Sequence, residues 1–446
     1  MALSGIQIYK MLPRTNCKDC GFPTCLAFAM KLAAKQVELA DCPHVSEESQ
    51  SQLATSAAPP IRLISLKSNG YEVKAGNEVV LFRHEKTFYH KPGIFVRITD
   101  DESAEQIKAK LAPAEAYLVD YVGLELSLDG FAVESVTGDA DAFASAVRAV
   151  NEVSHRPTIL MSSNPDVIAA GLDVSTTGAT LIHAADYNNW EEMAQLAKQH
   201  NAALVVTASS LDALAELTEK IKGVGVENMV LDPAAENLSS KLALNTQIRR
   251  LALKKNFRPL GYPLFADCAN GGDIAYESIQ AAQAIAKYAG FVVIDHFAPD
   301  HVYPLLVLRQ NIYTDPQKPI QVQPGLYEIN DPTADDPVLV TTNFSITYFS
   351  VANEVEGAGL RAWLLVAEAE GMSVLTAWAA GKFDAERIAK DVKRFGVADK
   401  VNHKRIVLPG HVAVLSGELE EELPHWDVRV GPREAVDLPA FMKQVL

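Results

Sequence analysis

PTILMSSNPDVIAAGLDVSTTGATLIHAADYNNWEEMAQLAKQHNAALVVTAS (157–209) contains three short apolar runs separated by longer polar segments. The runs PTILMSS, ATLIHAA and ALVVTAS start 22 and 24 residues apart, and they are rich in residues that favour strands. Between the last two, NNWEEMAQLAKQH has the periodicity of an amphipathic helix. Strands that alternate with helices at this spacing predict a parallel sheet built from βα units.

The same rhythm continues on both sides of this stretch. Further strand candidates are VVLFR (79–83), FVRIT (95–99), LVDYVGLELS (118–127), NMVLDP (228–233), PLFADC (263–268) and FVVIDHF (291–297). With helical patterns between the later runs, the count approaches the eight strands of a (β/α)8, TIM-like barrel. An open, doubly wound sheet is the alternative at this point. Both alternatives belong to the α/β class.

Polar side chains end several of the predicted strands. They are Asn164, Asp232, Asp267, Asp295 and His296. In a barrel, the carboxyl ends of the strands form the face that binds ligands. The same residue types also cap the helices that follow strands, so both interpretations stay open. At another such end, Cys268 is interpreted as a packed thiol rather than a nucleophile.

A shorter α/β pattern follows PTADDP (332–337). Its strand candidates are VLVTT (338–342), AWLLVA (362–367), RIVLP (405–409) and DVRV (427–430). Ligands of such sheets bind beyond the carboxyl ends of the strands. Small and glycine-rich ends also let backbone N–H groups approach a ligand. The predicted ligand contacts are Thr341, Thr342, Ser345, Ile346, Glu370, Gly371, Met372, Ser373, Thr376, Gly410, His411, Gly431 and Pro432.

Four of the five cysteines lie in the first 42 positions, in the spacing C-x2-C-x4-C-x16-C. They are Cys17, Cys20, Cys25 and Cys42. TCLAFAMKLAAKQVELA (24–40) predicts a helix after the third cysteine, so the chain must fold back for the fourth to join the others. Structural zinc usually takes two C-x2-C pairs. Three crowded cysteines and one distant one therefore favour a [4Fe–4S] cluster, with zinc as the alternative, and His44 is interpreted as solvated.

Composition narrows the classes of partner. The 446 residues include 40 basic and 56 acidic side chains, a formal net charge of −16. Nucleic acids and anionic membranes attract clustered Lys and Arg, so neither is expected to bind this chain. No apolar run is long enough for a transmembrane helix, and MALSGIQIYKMLPRTNC lacks the apolar segment of a secretory signal. We therefore expect a cytoplasmic protein with reduced thiols.

The chain length predicts more than one domain. The expected boundaries are 1–57 for a cysteine-cluster domain, 58–325 for the barrel and 326–446 for the terminal α/β domain. The polar stretch SEESQSQLATSAAPP (46–60) reads as a linker. Together with PTADDP (332–337), it is a candidate hinge.

NCKDCGFPTC (16–25) with DCP (41–43), a barrel and a terminal α/β domain, in this order, form a distinctive combination. The chain resembles the large (gamma) subunit family of corrinoid iron–sulfur proteins, which serve the acetyl-CoA (Wood–Ljungdahl) pathway of carbon fixation and the acetyl-CoA decarbonylase/synthase complex. The resemblance implies a barrel related to methyltetrahydrofolate methyltransferases. It also implies a Rossmann-like terminal domain that binds a cobalamin-type corrinoid. The four family ligands of the [4Fe–4S] cluster map onto the four N-terminal cysteines.

Many cobalamin-binding domains carry a D-x-H-x-x-G motif, whose histidine replaces the cofactor's own base on cobalt. The motif is absent here, and His411 has no Asp two residues before it. The family binds its corrinoid base-off, without a protein histidine below cobalt, and the absent motif is consistent with that. The cofactor's cobalt is expected to carry the chemistry, so no residue is assigned as catalytic.

The function implied by the resemblance is that of a methyl-group carrier, a corrinoid methyltransferase component that acts with partner enzymes. Cob(I)amide would accept a methyl group from methyltetrahydrofolate through a separate methyltransferase and pass it to acetyl-CoA synthase. The cluster would reduce Co(II) back to Co(I). Implied partners are a smaller subunit in a heterodimer, the methyltransferase, acetyl-CoA synthase/CO dehydrogenase and a reductive activator.

Two other functions fit parts of the pattern. One is a low-potential electron-transfer iron–sulfur subunit without corrinoid, and the other is a zinc-stabilised barrel enzyme that acts alone. The metal content of the protein would discriminate among the three.

Overall fold

The computed structural model describes residues 5–33, 37, 41–46, 49, 59–121, 123–176, 180–235, 237–268, 273–315 and 321–445. The chain forms two compact units. The first unit is Met1–Tyr117 with Ser127–Tyr313, and the terminal unit is Leu118–Leu126 with Thr314–Leu446. The three-domain division at 57/58 and 325/326 stays a prediction.

The strands follow one another along the chain from residue 64 to residue 430. They are β1 (Ile64–Ser68), β2 (Tyr71–Ala75), β3 (Gly93–Thr99), β4 (Val119–Tyr121), β5 (Leu124–Leu126), β6 (Gly130–Glu134), β7 (Thr158–Met161), β8 (Leu181–Ala185), β9 (Ala203–Ala208), β10 (Met229–Pro233), β11 (Leu264–Asp267), β12 (Ala289–Ile294), β13 (Gly325–Ile329), β14 (Val338–Thr342), β15 (Ala362–Ala367), β16 (Arg405–Leu408) and β17 (Asp427–Val430).

The α-helices follow the same order. They are α1 (Gly5–Met11), α2 (Cys25–Ala33), α3 (Ala104–Glu115), α4 (Ala140–Val153), α5 (Pro165–Val174), α6 (Trp190–Gln199), α7 (Leu211–Gly223), α8 (Leu238–Lys255), α9 (Ile274–Ala286), α10 (Pro299–Ile312), α11 (Ser345–Gly357), α12 (Val374–Ala379), α13 (Ala385–Arg394), α14 (Val397–Lys400), α15 (Ser416–Glu422) and α16 (Leu438–Val445). Short 3-10 helices span Arg83–Glu85, Arg258–Leu260, Gly410–Leu415 and Ala435–Asp437.

Eight parallel strands close into a barrel in the order β3-β6-β7-β8-β9-β10-β11-β12. The closing pair is β12 with β3, where Phe291 lies opposite Gly93. The predicted TIM-like barrel is therefore confirmed, and the open sheet is wrong. Alternate residues of each strand face inward and form an apolar core.

The hairpin β1–β2 packs into the same core through Ile64, Leu66 and Val73. A Cβ placed on Gly93, at the start of β3, would lie 2.7 Å from a Val73 methyl group. The hairpin therefore fills the end of the barrel at which the strands begin, and the absence of a side chain on Gly93 lets it approach closely.

Two predicted strands are not barrel strands. Residues 79–83 form a loop that enters a 3-10 helix, and Arg249 and Tyr288 donate hydrogen bonds to the carbonyls of Val80 and Leu81. Residues 118–127 contain the antiparallel hairpin β4–β5, which belongs to the terminal unit. The barrel strand that was not predicted is β6, whose five residues start with a glycine; β1, β2 and β13, which lie outside the barrel, were not predicted either.

The terminal unit is a five-stranded sheet in the order β13-β15-β14-β16-β17. β13 is antiparallel to its neighbour, and the other four strands are parallel. Apolar clusters on both faces of the sheet give the predicted Rossmann-like arrangement. PTADDP (332–337) lies inside this unit, between β13 and β14, where Asp336 accepts hydrogen bonds from Thr333. The prediction that this segment is a hinge between domains is therefore wrong.

The other candidate hinge, 46–60, lies almost entirely outside the described residues. Within the part of the chain that is described, no helix has both the length and the apolar character needed to cross a membrane.

Candidate cluster and cofactor sites

The loop before α2 curls back on itself at the cysteine motif. Asn16 Oδ1 accepts a hydrogen bond from the backbone N–H of Cys25 at 2.8 Å. The N–H of Gly21 donates to the carbonyl of Lys18 at 2.8 Å, with Gly21 at φ +80°. This turn requires a residue with left-handed backbone conformation, which glycine adopts without strain. The turn therefore brings the first two cysteines of the motif back toward the start of α2.

The four cysteines differ in exposure. Cys25 and Cys42 are buried in a small apolar core with Phe28, whereas Cys20 is half-buried and Cys17 is exposed. Burial raises the pKa of the Cys42 thiol, and the charges of the other three add to the increase. The four thiols therefore lie near enough to interact electrostatically, and four thiolates together would need a cationic centre to offset their mutual repulsion. This donor set fits an iron–sulfur cluster.

His44 lies beside this site and is exposed. Its Nε2 is 2.6 Å from Asp19 Oδ2, and the hydrogen bond with His44 lowers the pKa of Asp19. Cys17, Asp19 and His44 place ligand atoms within 4.8 Å of one another, an alternative set for a single metal ion. The partly solvated histidine thus has a carboxylate partner that sequence analysis did not anticipate.

Charged side chains form the uppermost layer inside the barrel, at the carboxyl ends of the strands. Arg97 of β3 makes a bidentate pair with Asp295 at 2.5 and 2.8 Å and contacts Glu134 at 2.6 Å. Asp267 lies 4.0 Å from the same guanidinium. Asp267 and Asp295 thus converge as the barrel prediction implied, on an arginine that the prediction did not include.

Asp232 is the centre of a second charged group in this layer. Lys241 Nζ lies 2.6 Å from its Oδ1, and His183 Nε2 lies 3.5 Å from its Oδ2. Burial alone would raise the pKa of Asp232, but Lys241 and His183 outweigh it and hold that pKa at about 2. These charges therefore pair mainly with one another.

The remaining strand-end residues have structural partners. Asn164 caps α5 by accepting from the N–H of Asp166 at 3.0 Å. His296 Nδ1 lies 2.7 Å from an oxygen of the buried Glu277. Burial strongly raises the pKa of Cys268, as befits a packed thiol rather than a nucleophile.

The terminal unit contains an open cleft of about 540 Å³ at the ends of β14 and β16. Six of the thirteen predicted contacts line it: Thr341, Ile346, Ser373, His411, Gly431 and Pro432. The other seven are not among its lining residues: Thr342, Ser345, Glu370, Gly371, Met372, Thr376 and Gly410. The structure therefore brings slightly less than half of the predicted set together around one cleft.

The loops after β16 and β17 form one wall of the cleft. A Cβ on Gly410 would lie 2.6 Å from the carbonyl oxygen of Gly431, and Gly410 N–H donates to Pro432 O at 2.9 Å. His411 lines the cleft beside them, with Nε2 3.7 Å from Glu434 Oε1. Close backbone packing thus makes this wall, which a side chain on Gly410 would disrupt.

The predicted contacts include only Ile346 from the wall supplied by α11, and none from the segment before α16. Thr347, Val351 and Glu354 line the cleft from α11, and Val436 lines it from the other segment. The spacing of Thr347, Val351 and Glu354 by four and three residues is the signal that could have identified this helix face.

Two features of the lining would suit a partly apolar ligand. Ile346 and Val436 line it with 65% and 66% of their surface exposed. Thr341 also lines it, is 1% exposed, and has a hydroxyl with no hydrogen-bond partner in the described structure. A buried hydroxyl without a partner is costly, and a ligand can supply that partner.

Comparison with known proteins identifies relatives along the whole chain. The family model for the CO dehydrogenase/acetyl-CoA synthase delta subunit matches residues 64–442, and a model for a putative Fe-S cluster matches residues 12–44. The corrinoid/iron-sulfur protein large subunit of Moorella thermoacetica is 44% identical over 99% of both chains. Subunit gamma of the acetyl-CoA decarbonylase/synthase complex of Methanopyrus kandleri is 34% identical, over 99% of this chain and 98% of the relative.

Among solved structures, 7,8-dihydropteroate synthase from Vibrio fischeri aligns with 56% of this chain and 97% of its own, at 13% identity and a TM-score of 0.39. The barrel itself is established by the pairing of its strands.

Proposed function

The chain belongs to the family of corrinoid/iron–sulfur protein large subunits, the gamma subunits of acetyl-CoA decarbonylase/synthase complexes, and from this premise we propose that it carries methyl groups on a bound corrinoid. The observation that carries the proposal is that one chain combines four cysteines that interact electrostatically with a large cleft whose lining includes a buried hydroxyl without a hydrogen-bond partner among the described residues. An electron carrier without corrinoid would not need the second feature.

The first cofactor in this proposal is a [4Fe–4S] cluster held by Cys17, Cys20, Cys25 and Cys42. The buried pair of cysteines would shield one side of the cluster, and the exposed Cys17 would leave the other side open to an electron donor. Potentials of such clusters extend to about −700 mV, which is low enough to reduce a corrinoid.

The second cofactor is a cobalamin-type corrinoid in the cleft of the terminal unit. The exposed apolar side chains of Ile346 and Val436 would cover its apolar surface, and Thr341 would hydrogen-bond to one of its polar groups. The glycine-rich wall would let backbone groups approach it closely. The cofactor, when bound, supplies a nucleophilic cobalt that accepts and releases a methyl group.

The corrinoid is proposed to bind base-off, without a protein ligand below cobalt. His411 is the histidine that lines the cleft within the described residues, and it lacks the Asp and Gly of the ligand motif. It lies beside Glu434 at 3.7 Å, which gives it a carboxylate neighbour instead.

The proposed partners follow from the same function. A methyl carrier needs a methyltransferase that loads it from methyltetrahydrofolate and an acetyl-CoA synthase that accepts the methyl group. We also propose a smaller subunit, in a heterodimer, and a reductive activator.

Elemental analysis of anaerobically purified native protein tests the proposal. About four iron atoms, as a cubane cluster needs, and about one cobalt per chain are expected. Iron without cobalt, even after corrinoid is added back, would favour the electron-transfer alternative. Zinc in place of iron would overturn the assignment of the four cysteines.

A further inference from the structure

Asn343 is a fully buried polar residue directly after β14, and sequence analysis did not select it as a ligand contact. Its backbone N–H donates to the carbonyl of Ala367 at 3.0 Å, and its carbonyl accepts from Val322 at 2.9 Å. The backbone N–H and the backbone carbonyl of Asn343 are thus both hydrogen-bonded to neighbouring chain segments.

The side chain of Asn343 holds the next loop, residues 368–372. Oδ1 accepts hydrogen bonds from the backbone N–H groups of Ala369 and Gly371, both at 2.9 Å. Nδ2 donates to Glu368 Oε1 at 3.1 Å. One amide side chain therefore fixes three residues of the loop.

The other N–H groups of the loop are also paired. The N–H of Glu368 donates to Asp391 Oδ2 at 3.2 Å. The N–H of Glu370 donates to Glu368 Oε1 at 2.8 Å. The N–H of Met372 donates to the carbonyl oxygen of Ala369 at 3.0 Å. Because every backbone donor of the loop is satisfied, the loop has one well-defined shape.

This shape is not one that the backbone adopts freely. Glu370 and Gly371 both lie in the left-handed region, at φ +53° and +70°. A Cβ on Gly371 would lie 2.6 Å from Gln321 Cγ. Left-handed backbone costs free energy for a residue such as Glu370, so surrounding contacts must hold it there.

The loop leads directly into the cleft. Ser373, at the N-terminal end of α12, follows the loop, and Ser373, Val374 and Leu375 all line the cleft. We propose that Asn343 is a positioning residue that sets this wall of the cleft and thereby the affinity for corrinoid. The proposal rests on the corrinoid-binding function proposed above.

The first test uses cofactor-free protein and the variant Asn343→Ala. Hydrogen exchange at the amides of Ala369 and Gly371 should accelerate about tenfold or more, because both lose their acceptor. Val338→Ala is the matched control: it removes a buried side chain at the opposite end of β14 and should leave exchange at these two amides unchanged. Unchanged exchange in Asn343→Ala would overturn the anchoring role.

The second test measures the dissociation constant for cobalamin by absorbance, at a temperature where every variant is folded. Asn343→Ala should weaken binding about tenfold or more, and Val338→Ala should bind like wild type. Glu368→Gln keeps an oxygen that can accept from Nδ2 and should also bind like wild type. Gly371→Ala strains the same loop by a different change and should also weaken cobalamin binding. It serves as the test variant if Asn343→Ala does not fold.

Faster exchange with unchanged cobalamin affinity in Asn343→Ala and Gly371→Ala would overturn the positioning role. Equal loss of affinity in Val338→Ala would do so as well, because it would point to general destabilisation. A wild-type protein that binds no cobalamin would refute the proposed function and the positioning role together. The exchange data would then still decide whether Asn343 anchors the loop.

Discussion

Individual thiols are not equivalent in this chain, although all five belong to one residue type. Cys20, Cys25 and Cys42 belong to one small apolar cluster near the N-terminus, whereas Cys268 is packed in the barrel with a strongly raised pKa. The spacing of the four N-terminal cysteines predicts a shared cluster site, and this stays a prediction. Their unequal exposure was not predictable, because it depends on how α1 and α2 pack around them.

Replacing Cys20 tests the role of these thiols. Cys20→Ala should lose most of the iron and the electron paramagnetic resonance signal of a reduced cluster, because three thiolates cannot complete the four-ligand set. Cobalt content should be unchanged, since the cleft lies in the other unit. Cys268→Ala is the control and should keep its iron; full iron retention in Cys20→Ala would contradict the ligand assignment.

Two adjacent threonines allow the effect of a lost ligand contact to be distinguished from the effect of changing a buried side chain. Both hydroxyls are buried without a partner in the described structure, but Thr341 lines the cleft and Thr342 does not. Thr341→Val should weaken cobalamin binding by about threefold to tenfold, the effect of a lost hydrogen bond. Thr342→Val should leave the affinity unchanged, as measured by absorbance titration. Equal effects of the two variants would remove Thr341 from the site.

His411 gives a spectroscopic prediction. If no protein histidine binds below cobalt, His411→Ala should leave the absorption and paramagnetic resonance spectra of the bound Co(II) corrinoid unchanged. Loss of a nitrogen hyperfine pattern in the variant would show that this histidine is a ligand after all.

At the scale of elements, the barrel could be predicted because each βα unit carries its own local pattern. The strands β7 to β12 coincide with the predicted apolar runs at 157–163 through 291–297. Errors arose before residue 150, in the segments 79–83 and 118–127. Leu81 and Leu126 are buried outside the barrel strands, whereas Val79 and Leu118 are exposed. Local alternation shows that a segment is half-buried, but it does not show which core buries it.

The charged layer in the barrel makes stability depend on pH. The pKa of Asp232 is about 2 in the folded protein, below the unfolded value of about 3.9. Its ion pairs therefore stabilise the fold at neutral pH by about 2 kcal/mol, and this contribution is lost as pH falls from about 4 toward 2. Urea unfolding at pH 7 and pH 3 should show a smaller pH effect in Asp232→Asn than in wild type. An equal pH effect would mean that the pairing is weak.

At the scale of the whole molecule, the two units are interleaved in sequence. Residues 118–126 interrupt the barrel sequence, yet they pack with the terminal unit. Tyr121 joins the apolar cluster that includes Leu339, and Gly123, at φ +77°, lies against Tyr327. No sequence pattern indicated that residues 118–126 pack with the terminal unit, because the contacting residues are about 200 positions apart in the chain.

Gly123→Ala tests this packing. The left-handed backbone and the neighbouring Tyr327 ring both disfavour a methyl group, so the variant should destabilise the terminal unit by about 1–3 kcal/mol. Hydrogen exchange should accelerate in β13 and leave the barrel strands unchanged. Gly138→Ala is a suitable control, since it also has positive φ, at +71°, but has open space around it. Acceleration confined to the barrel would contradict the assignment of the hairpin.

The interleaved hairpin has a consequence for how such a protein can be inherited or dissected. A gene fragment that starts at residue 314 encodes the five-stranded sheet but not the hairpin that covers part of it. A single recombination event at that point would therefore transfer an incomplete module, with apolar surface left bare around Tyr327 and Tyr348. Any attempt to transfer the terminal unit to another protein must therefore bring residues 118–126 with it.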